Sequence, residues 1–85
     1  MKKLARRYIM SLKDMALKQA GLYGMQWEVQ TWYDINIKAG DSDESAWRHA
    51  LQDWDCWPYG DMLFYEAWVY IANIEYNETY QKRRK

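Results

Sequence analysis

The stretch Met25-Gln26-Trp27-Glu28-Val29-Gln30-Thr31-Trp32-Tyr33-Asp34-Ile35-Asn36-Ile37-Lys38 decides between two folds. As a strand, Trp27, Val29, Thr31, Tyr33, Ile35 and Ile37 alternate with polar neighbours, and β-branched and aromatic residues suit a pleated surface. As a helix, Leu22, Met25, Val29, Trp32 and Asn36 recur at helical spacing, with Tyr33 and Ile35 at the flanks. A lone strand leaves its backbone without a partner, and no second clear strand stands elsewhere. Lys38-Ala39-Gly40 also reads as a helix end, with a basic last turn followed by glycine. The helix is therefore the adopted reading. It predicts an all-α compact bundle of three to four helices; the alternative is an α+β fold with a short strand at about 26–38.

The flanking segments agree with the helical reading. From about Lys2 to Gln19, Leu4, Tyr8, Leu12, Met15 and Gln19 form a stripe widened by Ile9 and Ala16, and Gly21 is the expected left-handed stop. From about Asp43 to Trp54, residues Ala46, Trp47, Ala50, Leu51 and Trp54 form a buried stripe. Asp41 or Ser42 precedes it as the cap, and Asp41 with Glu44 has capping-box spacing. From about Asp61 to Gln81, one stripe is Met62, Tyr65, Val69, Ala72, Tyr76 and Tyr80, and a second is Leu63, Ala67, Ile71 and Ile74. A helix apolar over so much of its circumference is expected to be central, packed on more than one side. Strands at Trp68–Ile71 and Ile74–Tyr76 are the rival, but no proper turn separates them. Residues 1–81 thus read as a single helical domain and 82–85 as a basic tail.

A chain of 85 residues holds one domain, and it must build a dense core to fold alone. Six Trp, eight Tyr and one Phe supply that core, yet they are more rings than one small interior can hide. Trp57 and Tyr59, beside Pro58 in a loop, are the rings expected at the surface. The single cysteine, Cys56, allows no internal disulfide and requires no oxidising compartment. Met1-Lys2-Lys3-Leu4-Ala5-Arg6-Arg7 has the basic front of a signal peptide, but Ser11, Lys13 and Asp14 interrupt the apolar run that should follow. No stretch is apolar enough to span a bilayer, and the simplest location is cytoplasmic.

The formal net charge is zero, but the charges are segregated. Residues 1–18 carry six bases against one acid, residues 19–81 eleven acids against two bases, and residues 82–85 four bases. The acidic middle mixes Asp41, Asp43, Glu44, Asp53, Asp55 and Asp61 with Trp47, Trp54, Trp57 and Tyr59. Carboxylates steer a basic partner from a distance, and rings hold it once water is excluded. The expected protein-binding residues are Asp41, Asp43, Glu44, Asp53, Asp55, Trp57, Tyr59 and Asp61. Another protein with a basic surface is the expected partner. An alternative uses Lys2, Lys3, Arg6, Arg7, Lys82, Arg83, Arg84 and Lys85 to grip nucleic-acid phosphates. The neutral total and the acidic middle disfavour it. A third reading is a structural homo-oligomer that buries the surplus rings between copies.

Catalytic chemistry finds little footing. His49, Asp53 and Cys56 lie along one helix edge, but they fall short of the usual zinc ligand count. Asp53, Asp55 and Asp61 beside Trp57-Pro58-Tyr59-Gly60 read as cap and turn residues more readily than as an acid–base pair. No phosphate loop, nucleophile elbow or Cys-x-x-Cys pair occurs. No enzyme activity, cofactor or metal is expected. In its density of Trp, Tyr and Met without a catalytic motif, the chain resembles bacteriophage or mobile-element accessory proteins. That likeness is one of composition, and no motif transfers residues. It implies a module that binds and inhibits a host enzyme, plausible for one that handles nucleic acid because acidic groups match such an enzyme's basic groove.

Overall fold

Residues 10–84 are described by the computed structural model, with side chains through residue 78. Within them the chain forms α1 (Leu12–Gly21), α2 (Gln26–Lys38), α3 (Asp43–Asp53) and α4 (Met62–Arg84). Among the described residues there is no strand, so the α+β alternative falls and the all-α bundle stands. Residues 26–38 are helical throughout, and Val29 is fully buried.

The first helix starts later than the periodicity predicts. Ser11 is extended, and its Oγ accepts from the Asp14 N–H at 3.0 Å while the Asp14 carboxylate accepts from the Ser11 N–H at 3.4 Å. This capping box contributes about 1 kcal/mol and breaks a helix read across residues 2–19. Residues 2–9 of that reading lie outside the described residues.

Three helices end in the same hydrogen-bonded reversal. After α1 the Met25 N–H donates to the Ala20 carbonyl at 3.0 Å, and Gly24 takes φ 69°. The left-handed residue is thus Gly24 and not Gly21, which ends the helix proper. After α2 the Asp41 N–H donates to the Asn36 carbonyl at 3.0 Å, and Gly40 takes φ 105°. After α3 the Cys56 N–H donates to the Leu51 carbonyl at 2.8 Å, but the left-handed residue is Asp55, at φ 57°. Glycine is the default at this position, because a Cβ crowds the backbone there.

The core is built around Trp47, which is 1% exposed and stacks on the Tyr33 ring with centroids 3.8 Å apart. Leu12, Met15, Val29, Leu51, Trp68 and Ile71 complete it, with Ala16, Ala20 and Ala50 small enough to let the helices approach. α2 and α3 pack most extensively, and α1 lies against both.

α4 departs from expectation. It is not central: its backbone approaches α1, and among its described side chains only Trp68 and Ile71 are buried, while Met62, Leu63, Val69 and Tyr70 are exposed. One reason is one-sided packing, since Val69 and Tyr70 are exposed in the same turn that buries Trp68 and Ile71; the other is length. At 1.5 Å per residue, α4 runs about 34 Å, whereas α1 and α3 run about 15 and 16 Å. Such short neighbours cannot cover such a long helix. Its last turn includes the backbone of Lys82, Arg83 and Arg84.

Candidate functional site

Of the eight residues expected to bind a partner, three gather at the start of α3. The Ser42 Oγ caps the helix by accepting from the Ser45 N–H at 3.2 Å, so Asp41 does not cap. Asp41 instead lies 3.2 Å from the His49 Nδ1. The Asp43 carboxylate accepts from the Tyr33 hydroxyl. Glu44 accepts from the Arg48 Nε and the Trp68 Nε1, both at 2.8 Å. Burial opposes ionisation of Glu44, but these two donors and the Arg48 charge prevail and lower its pKa.

These acids line a furrow of about 580 Å³ between α3, the first turn of α1 and α4. Glu75, on its α4 wall, accepts from the Leu12 N–H at 3.0 Å. Burial raises the Glu75 pKa, and the charges of Asp43, Glu78 and Asp14 add to the rise against that backbone donor. Burial likewise raises Tyr33, together with its hydrogen bond to Asp43. Every acid of this furrow named here has a structural contact.

Asp53 and Asp55 lie at the opposite end of α3, about 15 Å along its axis from Asp43. There the Trp32 Nε1 donates to the Asp53 Oδ2 at 2.6 Å. The Trp32 ring meets Trp54 edge-to-face, with centroids 6.2 Å apart and an interplanar angle of 86°. Trp54 was expected inward on the α3 stripe. It is 36% exposed because the helix stops at Asp53 and the reversal through Asp55 turns the next side chain outward. Trp32 is 37% exposed, and Ile35, one turn further on, is exposed too. Asp55 and Glu28 both act on the Cys56 thiol, whose pKa burial raises first and their charges raise further. The result is a ridge of two ordered indoles beside carboxylates.

Trp57, Tyr59 and Asp61 fare differently. Trp57 is not an exposed loop ring: it is half-buried against Phe64, Tyr65 and Trp68 at 5.2–5.6 Å, and its Nε1 donates to the Tyr65 hydroxyl at 3.1 Å. Asp61 caps α4 by accepting from the Phe64 N–H at 3.1 Å. Tyr59 is exposed.

Comparison with known proteins finds no matching family model, no similar curated protein and no similar solved structure. Function therefore rests on the site alone.

The other candidate sets do not assemble. Cys56 is buried, with its Sγ directed to the Trp54 carbonyl at 3.4 Å, while the His49 Nδ1 faces Asp41 and Ser45. Among the described residues no three His, Cys, Asp or Glu side chains converge to hold a metal ion. No helix among them is long and apolar enough to cross a membrane. Of the phosphate-gripping set, Lys2, Lys3, Arg6, Arg7 and Lys85 lie outside the described residues.

Sequence reasoning missed the role of Trp32 and the outward turn of Trp54. The only signal was weak: no glycine follows α3, and Asp55 is of a residue type that takes the left-handed conformation more readily than most.

Proposed function

We propose that this chain is a non-catalytic protein-binding module that docks through the Trp32–Trp54 ridge and the carboxylates of Asp53 and Asp55. Its partner presents a basic surface, and the groove of a nucleic-acid-handling enzyme is the class such a surface would block. The observation that carries this reading is the Trp32–Asp53 hydrogen bond at 2.6 Å beneath the edge-to-face indole pair. Rings already held in place lose little conformational freedom on binding, and tryptophan is among the residues enriched at binding hot spots. Indole faces beside carboxylates suit an arginine or lysine, which gains a cation–π contact and a charge partner together.

Asp55 supports the same reading. The ends of α1 and α2 use glycine where α3 uses Asp55. A non-glycine residue in that conformation costs about 1 kcal/mol, less for aspartate than for most, and the position adjoins the ridge. Strain retained at a surface site points to a use for the side chain.

Capture from a lysate of the source organism tests the proposal, with the parent, Asp53→Lys/Asp55→Lys and Trp54→Ala as baits of equal helicity. For a protein retained by the parent, the charge reversal is expected to slow association about tenfold at low salt, an effect that added salt diminishes. Trp54→Ala is expected to speed dissociation about tenfold, as loss of a ring anchor does. Retention of the same proteins, equally tightly, by all three baits contradicts the assignment.

A further inference from the structure

The shape of the Trp32–Trp54 ridge discriminates between cations. Resting on the reading of that ridge as the docking surface, we propose that its right-angled corner takes one arginine side chain of the partner, in preference to lysine. The two indole planes stand at 86° with centroids 6.2 Å apart, so a recess lies where the face of one ring meets the face of the other. A guanidinium is planar and offers a face and an N–H edge at right angles to each other. Laid flat on Trp32, it points N–H groups at the face of Trp54, and both contacts are favourable for a cation at a π face. An ammonium is a compact, strongly hydrated point charge with no flat face. It gains most from rings that enclose and desolvate it, whereas Trp32 and Trp54 are both partly open to solvent.

The carboxylates favour the same ion. An indole N–H lies in the plane of its ring, so the Asp53 Oδ2 that accepts from the Trp32 Nε1 at 2.6 Å sits at the rim of that ring. Among the described residues no donor occupies the other oxygen, Oδ1. A guanidinium stacked on Trp32 therefore finds an acceptor at its edge. Its fork of five N–H donors bonds a carboxylate while its plane still faces the rings. Glu28 and Asp55 add negative charge at this end of α3, since both act on Cys56, two residues beyond Trp54. Two aromatic walls and an acidic rim thus match a single flat cation.

Titration of the full chain, followed by its indole N–H signals in two-dimensional NMR, tests the preference. The probes are N-acetyl-arginine amide and N-acetyl-lysine amide, at matched ionic strength. Arginine is expected to shift the Trp32 and Trp54 signals saturably with a Kd on the order of 10 mM, and lysine to bind at least about threefold more weakly. Asp53→Asn keeps an acceptor for the Trp32 Nε1 but removes the charge, and is expected to weaken arginine about threefold. Trp54→Ala removes one wall and is expected to bring arginine down to the lysine level. Equal binding of the two probes overturns the proposal, and so does arginine that leaves both indoles unmoved. Lysate capture is a separate readout. A partner lost on Trp54→Ala together with equal probe binding refutes the arginine corner and leaves the ridge as a docking surface. Arginine preference with capture indifferent to Trp54→Ala refutes the docking role and leaves the cation corner standing.

Discussion

Replacing Trp47 with alanine is expected to lower the melting temperature by at least about 12 °C, enough to leave much of the protein unfolded at 37 °C. Trp47 is the largest fully buried side chain, and it holds the Tyr33 ring against it. Ala16, Ala20 and Ala50, which share its buried cluster, are themselves fully buried and too small to fill the space. Truncating a buried tryptophan costs about 3–5 kcal/mol when the site cannot collapse. A domain of this size has only about 4–13 kcal/mol in total, and each kcal/mol is worth about 4–8 °C. Thermal melting followed by far-ultraviolet circular dichroism checks the result. A Trp47→Ala protein melting within a few degrees of the parent would mean that the core is organised around something else.

Trp68→Ala is the second large effect, for a different reason. Trp68 is the main anchor between α4 and the rest of the core: its ring is nearly fully buried against Trp57 and Phe64, and its Nε1 donates to Glu44. Truncation costs about 3–5 kcal/mol and loosens α4, whose described side chains then leave only Ile71 buried. Trp68→Phe separates packing from the hydrogen bond. It keeps a ring, removes the donor to Glu44 and is expected to cost about 1–2 kcal/mol at neutral pH. The pH dependence identifies the contact. Because Glu44 is more acidic in the fold than in the unfolded chain, its contribution is present above the ordinary carboxylate range and lost as pH falls through its folded pKa. Glu44 is partly exposed, so solvent screening limits that contribution to about 1 kcal/mol. The gap between parent and Trp68→Phe, measured by urea unfolding across pH, is therefore expected to narrow on acidification. A constant gap would show that Glu44 does not sense the indole.

These effects show what could be read from the residues and what could not. The stripe Ala46, Trp47, Ala50 and Leu51 was legible because helical period alone fixes which residues of α3 face inward. Residues 26–38 were legible only by weighing topology against propensity. Their β-branched and aromatic residues favour a strand, but one without a partner, and burial of Val29 in the core holds the helix. The place of α4 was not legible, because apolar breadth predicts burial only where neighbours stand on enough sides and are long enough to supply it, and Val69 and Tyr70 are exposed beside buried Trp68 and Ile71. Trp57 was not legible either: its cover comes from Phe64, Tyr65 and Trp68 on the next helix. The acidic middle proved to be two places joined by α3. Asp41, Asp43 and Glu44 are engaged by His49, Tyr33, Arg48 and Trp68 at one end, and Asp53 and Asp55 flank exposed indoles at the other.

Asp55→Gly puts the binding role of the ridge most directly to the test, since it relieves backbone strain while deleting a proposed contact. Melting temperature and partner capture are measured on the same preparation. The expected result is a protein more stable by about 0.5–1 kcal/mol that holds the captured partner several-fold less tightly. A glycine variant that is stabilised and still holds the partner as firmly as the parent would contradict the assignment of this surface.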